Sequence, residues 1–163
     1  MSYSSIETLK RGGAKEVLQS IEYLSEQTER FIIIGGANLV LRGIKPDTTD
    51  IDVLSPYDEL EALSKLPLAR VKQPPYPAIG RGATNFSIWV ENQFTPLPIS
   101  ATDRLGDGHY PMSYEGMVDR AEDFDGVPML PLQAVLDSKR LLARPKDLVD
   151  IPLIERHLDL EQY

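Results

Sequence analysis

The chain has 163 residues, of which 42% are hydrophobic and 26% are charged, as expected for one globular domain over residues 1–163 with a sizeable core. It lacks cysteine, which excludes disulfides and thiolate metal sites, and its net charge of −8 argues against a broad basic surface for nucleic acid. No apolar run is long enough to cross a bilayer, and the N-terminus lacks the pattern of a signal peptide. We therefore expect a cytoplasmic protein with no membrane partner.

Hydrophobic periodicity predicts helices and strands in mixed order. Apolar residues at helical spacing predict helices over residues 14–29, 37–42, 57–65 and 131–143. Short apolar or alternating runs predict strands over residues 31–34, 49–54, 68–72, 84–90 and 126–130. This order is typical of an α/β or α+β fold in which helices flank a mixed β-sheet and the C-terminus is helical.

Prolines modify two further elements. Pro96 and Pro98 limit residues 95–102 to an edge strand at best, because proline cannot donate a hydrogen bond to a sheet. Pro145 begins a last helical segment, and we expect Pro152 to kink that helix or to restart it.

Two short motifs indicate chemistry. Gly35 and Gly36 follow the strand over residues 31–34, and such a turn lets backbone amides approach an anion such as phosphate. Asp50 and Asp52 lie two residues apart on the next strand, so their carboxylates project from one face and repel each other unless a cation lies between them. A tight turn and a solvated strand end would explain each motif alone. Together they predict a Mg²⁺ site beside a phosphate site.

These motifs resemble those of a known family. Gly35-Gly36, Arg42-Gly43 and Thr49-Asp50-x-Asp52, in this order, are similar to the motif of the nucleotidyltransferase superfamily, whose core is polymerase-β-like. The resemblance is strongest to small bacterial AbiEii-like and related nucleotidyltransferases, whose motif reads like Arg-x-Thr-x-Asp-Ile-Asp-Leu.

A second stretch extends the resemblance. Residues 132–140 and 144–150 are similar to the C-terminal signature of the same group, which contains a Lys-Arg pair followed by Arg-x-Lys-Asp-Leu-x-Asp. The chain departs from the group at Lys45 and Pro46, where arginine is common, and at Asn38, near a common serine. Neither departure removes a carboxylate.

The resemblance implies how a nucleoside triphosphate (NTP) would be bound and used. Residues at the turn would hold its phosphates, and the two aspartates would bind Mg²⁺ that bridges the triphosphate. A lysine would contact phosphate or stabilise developing charge, and residues after it would orient basic groups or help with the acceptor. The residues are Gly35, Gly36, Asn38, Arg42 and Lys45 for the nucleotide, Asp50 and Asp52 for the metal and catalysis, Lys139 and Asp103 for catalysis, and Arg144 and Asp147 for support.

The resemblance also implies a third carboxylate on a neighbouring strand, where it acts as base for the attacking hydroxyl. The strand-like residues 97–100 carry no acid. Either Asp103, which follows them, or Glu91, which ends the preceding strand, could serve.

Several of these residues also have purely structural interpretations. Lys139 suits the solvated face of an amphipathic helix, and Asp147 near a helix start offsets the helix dipole. His109 is more typical of a surface loop than of a general base, and Trp89 is typical of a core strand.

We therefore expect a Mg²⁺-dependent nucleotidyltransferase that transfers a nucleoside monophosphate from an NTP to an acceptor and releases pyrophosphate. The acceptor would be a protein hydroxyl, an RNA 3′ end or a small molecule. AbiEii-like enzymes are toxins paired with antitoxins, so the resemblance also implies a toxin role with an antitoxin partner. The alternative is a catalytically degenerate nucleotidyltransferase fold that serves as a nucleotide-binding or protein-interaction module.

Overall fold

The computed structural model describes residues 10–73, 86–105 and 112–161. Its strands are β1 (Ile32–Ile34), β2 (Ile51–Leu54), β3 (Ala69–Gln73), β4 (Ser87–Val90), β5 (Ile99–Thr102), β6 (Arg104–Leu105), β7 (Met112–Ser113), β8 (Glu122–Phe124) and β9 (Val127–Met129). Its helices are α1 (Ala14–Gln27), α2 (Gly35–Leu41), α3 (Tyr57–Leu63), α4 (Tyr114–Met117), α5 (Leu132–Leu142) and α6 (Pro145–Glu161), with a 3₁₀ turn at Val118–Arg120. His109 lies outside the described residues.

Seven strands form one mixed sheet in the order β3-β4-β5-β2-β1-β9-β8, and β6 pairs with β7 in a separate ribbon. Pairing is parallel between β2 and β5 and between β1 and β9, and antiparallel elsewhere in the sheet. The predicted α/β class with a mixed sheet and a helical C-terminus is confirmed. None of the helices in the described ranges combines the length and the apolar character that crossing a bilayer requires.

Alternate residues of the central strand β1 pack into different layers. Ile33 belongs to an apolar cluster with α1 and α3, whereas Ile32 and Ile34 belong to a second cluster with α5 and α6. Because neighbouring side chains of a strand project from opposite faces, the two clusters lie on the two faces of the sheet. A continuous apolar run is what a strand covered on both faces requires.

The face that carries the second cluster becomes polar beyond β1. Ile34 is paired in register with Asp52 on β2, and Asp52 is paired with Ser100 on β5. Ser100 is paired in turn with Trp89 on β4, which is half-buried although we expected it in the core. Directly paired residues share a face, so Asp52, Ser100 and Trp89 continue the face of Ile34, and none of these three belongs to the second apolar cluster.

The prediction of an edge strand over residues 95–102 was wrong, because β5 lies between β4 and β2 within the sheet. Pro96 and Pro98 precede the strand, and its hydrogen-bonded ladder begins only at Ile99. The Pro98 carbonyl contributes as an acceptor, for the Ile51 amide at 2.8 Å. The prolines therefore remove no donor that the ladder needs.

Pro152 lies within α6, so the helix does not restart there. Asp150 and Ile154, on either side of the proline, are both buried. Contacts on both sides of Pro152 thus hold the helix against the rest of the protein.

Asn38 fixes α2 to the sheet. Its Nδ2 donates to the carbonyls of Ile33 at 2.9 Å and Leu130 at 3.0 Å, and its Oδ1 accepts from Arg42 Nε at 2.7 Å. Arg42 also donates to the Leu130 carbonyl at 2.9 Å and forms an ion pair with Glu122 at 3.0 Å. Asn38 is fully buried, and its amide donates the hydrogen bonds that water would otherwise donate to these two carbonyls. We call these contacts the Asn38 clamp.

Replacing Asn38 with alanine should lower the free energy of unfolding by about 2–4 kcal/mol, because two carbonyls lose a shared donor and Arg42 loses its acceptor. Urea denaturation measures the loss. The exposed Gln93→Ala substitution is the control and should change stability by less than about 0.5 kcal/mol. An Asn38→Ala protein as stable as the wild type would contradict the clamp.

Candidate active site

A cleft lies where the polar face of the sheet meets the start of α2 and the helices α5 and α6. It has two chambers of about 360 and 200 Å³ that share part of their lining. Both are lined by Gly35, Asp50, Asp52, Lys139, Arg144 and Lys146. The larger, sheet-side chamber is also lined by Lys72, Ser87, Ser100, Thr102 and Arg104, among others. The smaller, turn-side chamber is also lined by Arg11, Gly36, Lys45, Thr48, Thr49 and Asp150.

Both glycines are required because the backbone at the start of α2 passes close to the side chains of Asp52 and Thr48. Gly35 has a φ of +66°, in the left-handed region, and a Cβ atom there would lie 2.8 Å from Asp52 Oδ2. At Gly36, a Cβ atom would lie 2.5 Å from Thr48 Oγ1. The register of β1 with β2, in which Ile34 is paired with Asp52, brings the turn to this position. The Gly35 backbone therefore lies directly against the Asp52 carboxylate.

Asp50 and Asp52 form an uncompensated carboxylate pair. No hydrogen bond or ion pair within the described ranges satisfies either carboxylate. Burial raises the pKa of both groups, and the negative charge of Asp50 raises the pKa of Asp52 further, to about 6. The positive charges of Lys146, Lys72 and Arg144 offset these shifts only in part. Carboxylates that line a cleft and whose pKa is raised by burial and by a neighbouring negative charge are typical of a functional site.

Basic side chains surround the pair. Seven basic residues and three carboxylates line the two chambers, although the whole chain has a net charge of −8. The cleft therefore concentrates positive charge, which suits a polyanion bound together with a divalent cation. The basic residues are Arg11, Lys45, Lys72, Arg104, Lys139, Arg144 and Lys146.

Buried ion pairs hold three of these cations in place. Lys139 Nζ lies 3.2 Å from Asp147 Oδ1 and 3.0 Å from Asp150 Oδ2. Lys45 Nζ lies 3.1 Å from Asp150 Oδ1, and Arg144 Nε donates to Asp147 Oδ2 at 2.7 Å. Lys139 and both carboxylates are buried, so breaking one pair would leave an uncompensated charge inside the protein. We call these contacts the lysine–aspartate network.

Asp147 contacts both the start of α6 and two basic side chains of the cleft. Its Oδ2 accepts from the Arg144 amide at 3.0 Å, at the start of α6, and its carboxylate also binds the side chains of Arg144 and Lys139. Burial alone would raise the pKa of Asp147, but these hydrogen bonds and charges outweigh it, so the pKa lies below its ordinary value. Asp147 is thus an ionised residue that orients two cations of the cleft.

The cleft brings together most of the residues selected from the sequence, namely Gly35, Gly36, Lys45, Asp50, Asp52, Lys139 and Arg144. Asn38 and Arg42 do not line it, because they belong to the Asn38 clamp. Asp103 is also placed outside the cleft: it is buried, and its Oδ1 accepts a hydrogen bond from the Phe86 amide at 2.8 Å.

Ser100 occupies the position beside Asp52 on the neighbouring strand, where the motif resemblance implies a third carboxylate. Glu91, the other candidate, accepts from Trp89 Nε1 at 3.2 Å and does not line the cleft. Within the described ranges, no cluster of three or more His, Asp or Glu side chains could hold a metal. Two carboxylates nevertheless fit Mg²⁺, which proteins commonly bind through one or two carboxylates together with substrate phosphates.

Sequence reasoning missed the sheet-side residues Lys72, Ser100 and Arg104, and it did not select Lys146 from the C-terminal stretch. Which residues meet on a sheet depends on strand order, and β3 and β5 reach the cleft only through pairing that the sequence does not reveal. The alternation of Ser100 and Thr102 with apolar neighbours was the available signal, because it indicates one polar face on β5.

Comparison with known proteins assigns neither a family nor a function to the chain. No family model matches the chain, and no curated protein or solved structure matches it significantly. The functional interpretation therefore depends on the cleft and on the motif resemblance.

Replacing Asp52 with asparagine should stabilise the protein near neutral pH. The folded-state pKa of about 6 lies above the ordinary value of 3.8, so the folded protein binds this proton more tightly than the unfolded chain does. Ionisation of Asp52 therefore lowers the free energy of unfolding as the pH rises from about 4 to 7. The substitution restores about 1–3 kcal/mol of it.

Urea denaturation at about pH 7.5 and about pH 4 measures the effect, and the gain should disappear at the lower pH, where Asp52 is protonated. The exposed Asp123→Asn substitution serves as the control and should have little effect at either pH. If Asp52→Asn is no more stable than the wild type near neutral pH, ionisation of Asp52 does not destabilise the folded protein and the prediction is wrong.

Proposed function

We propose that this protein is a Mg²⁺-dependent nucleotidyltransferase with a polymerase-β-like core, and that it binds an NTP in the cleft. One observation carries the proposal: a carboxylate pair, with the pKa of Asp52 raised to about 6, lies unpaired among seven basic side chains. A purely structural network would pair these opposite charges, as the lysine–aspartate network does. A metal-bound triphosphate brings a cation to the carboxylates and places anionic oxygens beside the basic residues that line both chambers, Lys139, Arg144 and Lys146.

In this proposal Asp50 and Asp52 hold Mg²⁺, which when bound neutralises phosphate charge and positions the phosphates. Lys139 and Lys146 line both chambers and contact the phosphates, together with Arg144. The lysine–aspartate network orients Lys139 and Arg144 before substrate arrives. Cations that are already oriented lose little entropy on binding and stabilise developing charge without rearrangement.

The reaction is a displacement at the α-phosphorus of the NTP. The acceptor oxygen forms a bond to phosphorus, and the bond from phosphorus to the oxygen that bridges the β-phosphate breaks. The electron pair of that bond leaves with pyrophosphate, and Lys139 and Lys146 stabilise the charge that develops there. The hydroxyl proton of the acceptor passes to water, since Ser100 rather than a carboxylate lies beside Asp52 on the neighbouring strand.

The acceptor in this proposal is a protein hydroxyl, an RNA 3′ end or a small molecule, and the motif resemblance adds a cytoplasmic toxin role with an antitoxin partner. The net charge of −8 favours an acceptor that is recognised within the cleft over a long nucleic acid held by a broad surface.

A second candidate function is a binding module that uses the same fold without efficient transfer. Two observations favour it: Ser100 lies at the position where the third carboxylate is implied, and the Asp103 carboxylate binds the Phe86 amide. Such a module would bind Mg²⁺–NTP in the same cleft and release no pyrophosphate.

Replacing Asp50 and Asp52 together with asparagine should weaken Mg²⁺-dependent NTP binding by at least about tenfold, because amides bind Mg²⁺ less well than carboxylates do. Isothermal titration of the common NTPs, with and without Mg²⁺, measures this change. The double substitution Asp119→Asn and Asp123→Asn removes the same charge from exposed positions and should leave binding unchanged.

Unchanged Mg²⁺-dependent binding in the protein that lacks both cleft aspartates would show that the metal assignment is wrong. Pyrophosphate release, assayed with protein, RNA and small-molecule acceptors, separates the two candidate functions. Release that requires Asp50 and Asp52 supports the transferase, and tight binding without release from any acceptor supports the binding module.

A further inference from the structure

Arg104 is a buried cation in the sheet-side chamber. Only 8% of its surface is exposed, and it lines this chamber but not the turn-side chamber. Its Nε is buried and has no hydrogen-bond partner among the described residues. Burying a guanidinium without an ion-pair partner is unfavourable, so this position in the chamber suits an anion with oxygen acceptors.

The neighbours of Arg104 supply further groups for such an anion. Lys72 on β3 lines the same chamber, lies over the Trp89 ring and forms no ion pair among the described residues. Ser87 and Ser100 also line it, on the adjacent strands β4 and β5. The Thr102 hydroxyl is already engaged, since it lies 3.1 Å and 2.9 Å from two backbone carbonyls. Two cations and two hydroxyls are typical partners of a phosphate group.

These groups lie on the opposite side of the carboxylate pair from the glycine turn. Ser100 is paired with Asp52 on the side of β5, whereas Gly35 contacts Asp52 from the side of β1. A triphosphate held by Lys139, Arg144 and Lys146 uses the cations shared by both chambers. Lys72 and Arg104 would then remain for another ligand, next to the metal-binding carboxylates.

We propose that the sheet-side chamber is an acceptor subsite, and that the acceptor carries a phosphate group which Arg104 and Lys72 bind. The inference rests on the proposed nucleotidyl transfer and narrows its acceptor to a phosphate-bearing molecule. Arg104 then positions the acceptor so that its hydroxyl reaches the α-phosphorus beside Asp52.

Trp89 provides a built-in reporter for this subsite. It is the only tryptophan of the chain and is the cross-strand partner of Ser100. Arg70 and Lys72 lie over its ring, at 5.6 Å and 5.3 Å from the centroid. A phosphate that draws Lys72 towards Arg104 changes this contact and therefore the fluorescence of Trp89. A nucleobase attached to the phosphate would in addition quench the fluorescence by stacking.

The test is a titration of inorganic phosphate into the full chain, saturated with Mg²⁺ and a non-hydrolysable NTP analogue, with Trp89 fluorescence as the readout. Arg104→Gln should weaken phosphate binding by about tenfold or more, while its affinity for Mg²⁺–NTP stays that of the wild type. Arg104→Lys should retain part of the phosphate affinity. Arg70→Gln, which removes an exposed cation outside the chamber, should retain all of it.

Three outcomes would overturn the inference: no phosphate binding to the wild type, equal phosphate affinity in Arg104→Gln, or an equal loss of phosphate and Mg²⁺–NTP binding in that variant. The last assigns Arg104 to the NTP site and leaves the proposed function standing. Conversely, a wild type that binds phosphate through Arg104 but never binds Mg²⁺–NTP contradicts the proposed function, and with it the acceptor role.

Thermal unfolding without phosphate shows whether Arg104→Gln is folded. We expect a melting temperature equal to or above that of the wild type, because the variant loses a buried unpaired charge. If the melting temperature falls, Arg104→Lys decides: retained phosphate binding supports the subsite, and lost binding overturns it.

Two further ligands, a sugar phosphate and a short single-stranded oligonucleotide, show whether the phosphate belongs to a small molecule or to a nucleic-acid end. Arg104-dependent binding of either supports the subsite. Strong quenching of Trp89 by the oligonucleotide alone assigns the phosphate to a nucleic-acid end, and equal binding of the sugar phosphate without quenching assigns it to a small molecule. Failure of both to bind contradicts the acceptor role.

Discussion

The repulsion between the carboxylates of Asp50 and Asp52 is the constraint on which the cleft depends. Asp52 lies on β2 and Asp50 directly precedes that strand, and both carboxylates line the same cleft. Burial together with the charge of Asp50 raises the pKa of Asp52 to about 6. The same strand register requires glycine at position 35, because any Cβ atom there would meet the Asp52 carboxylate. Two carboxylates without partners this close together destabilise the folded protein, and the proposed function assigns a cation to them for that reason.

The positive side of the cleft is organised by a different interaction. Asp147 and Asp150 are buried, and Asp150 also lines the turn-side chamber. Their ion pairs hold Lys139 at the wall of the cleft, with Lys45 and Arg144 as further partners. The ion pairs of Lys139 link α5 and α6, so this part of the chain presents cations in fixed positions to the carboxylates of Asp50 and Asp52. The cleft thus has one edge of carboxylates without ion-pair partners in the described ranges and one edge of basic side chains, although the chain as a whole is acidic.

Local patterns allowed much of this arrangement to be predicted. The apolar run of β1 and the spacing of Asp50 and Asp52 depend only on neighbouring residues, and both indicated the correct strands. Asn38 was predicted as a phosphate contact, and the sequence could not reveal that its side chain donates to the Leu130 carbonyl, which is distant in sequence. The same limitation applies to Arg104 and Lys72, which reach the cleft through strand order rather than through a motif. Side-chain direction and tertiary pairing, not secondary structure, set the limit of the prediction.

Anomalous scattering from Mn²⁺, in crystals of the protein with a non-hydrolysable NTP analogue, tests the central claim most directly. The account predicts a Mn²⁺ peak in contact with the carboxylates of both Asp50 and Asp52 and with phosphate oxygens, and a triphosphate that extends towards Lys139 and Arg144. A metal peak away from these two carboxylates, or a triphosphate bound outside the cleft, would contradict it.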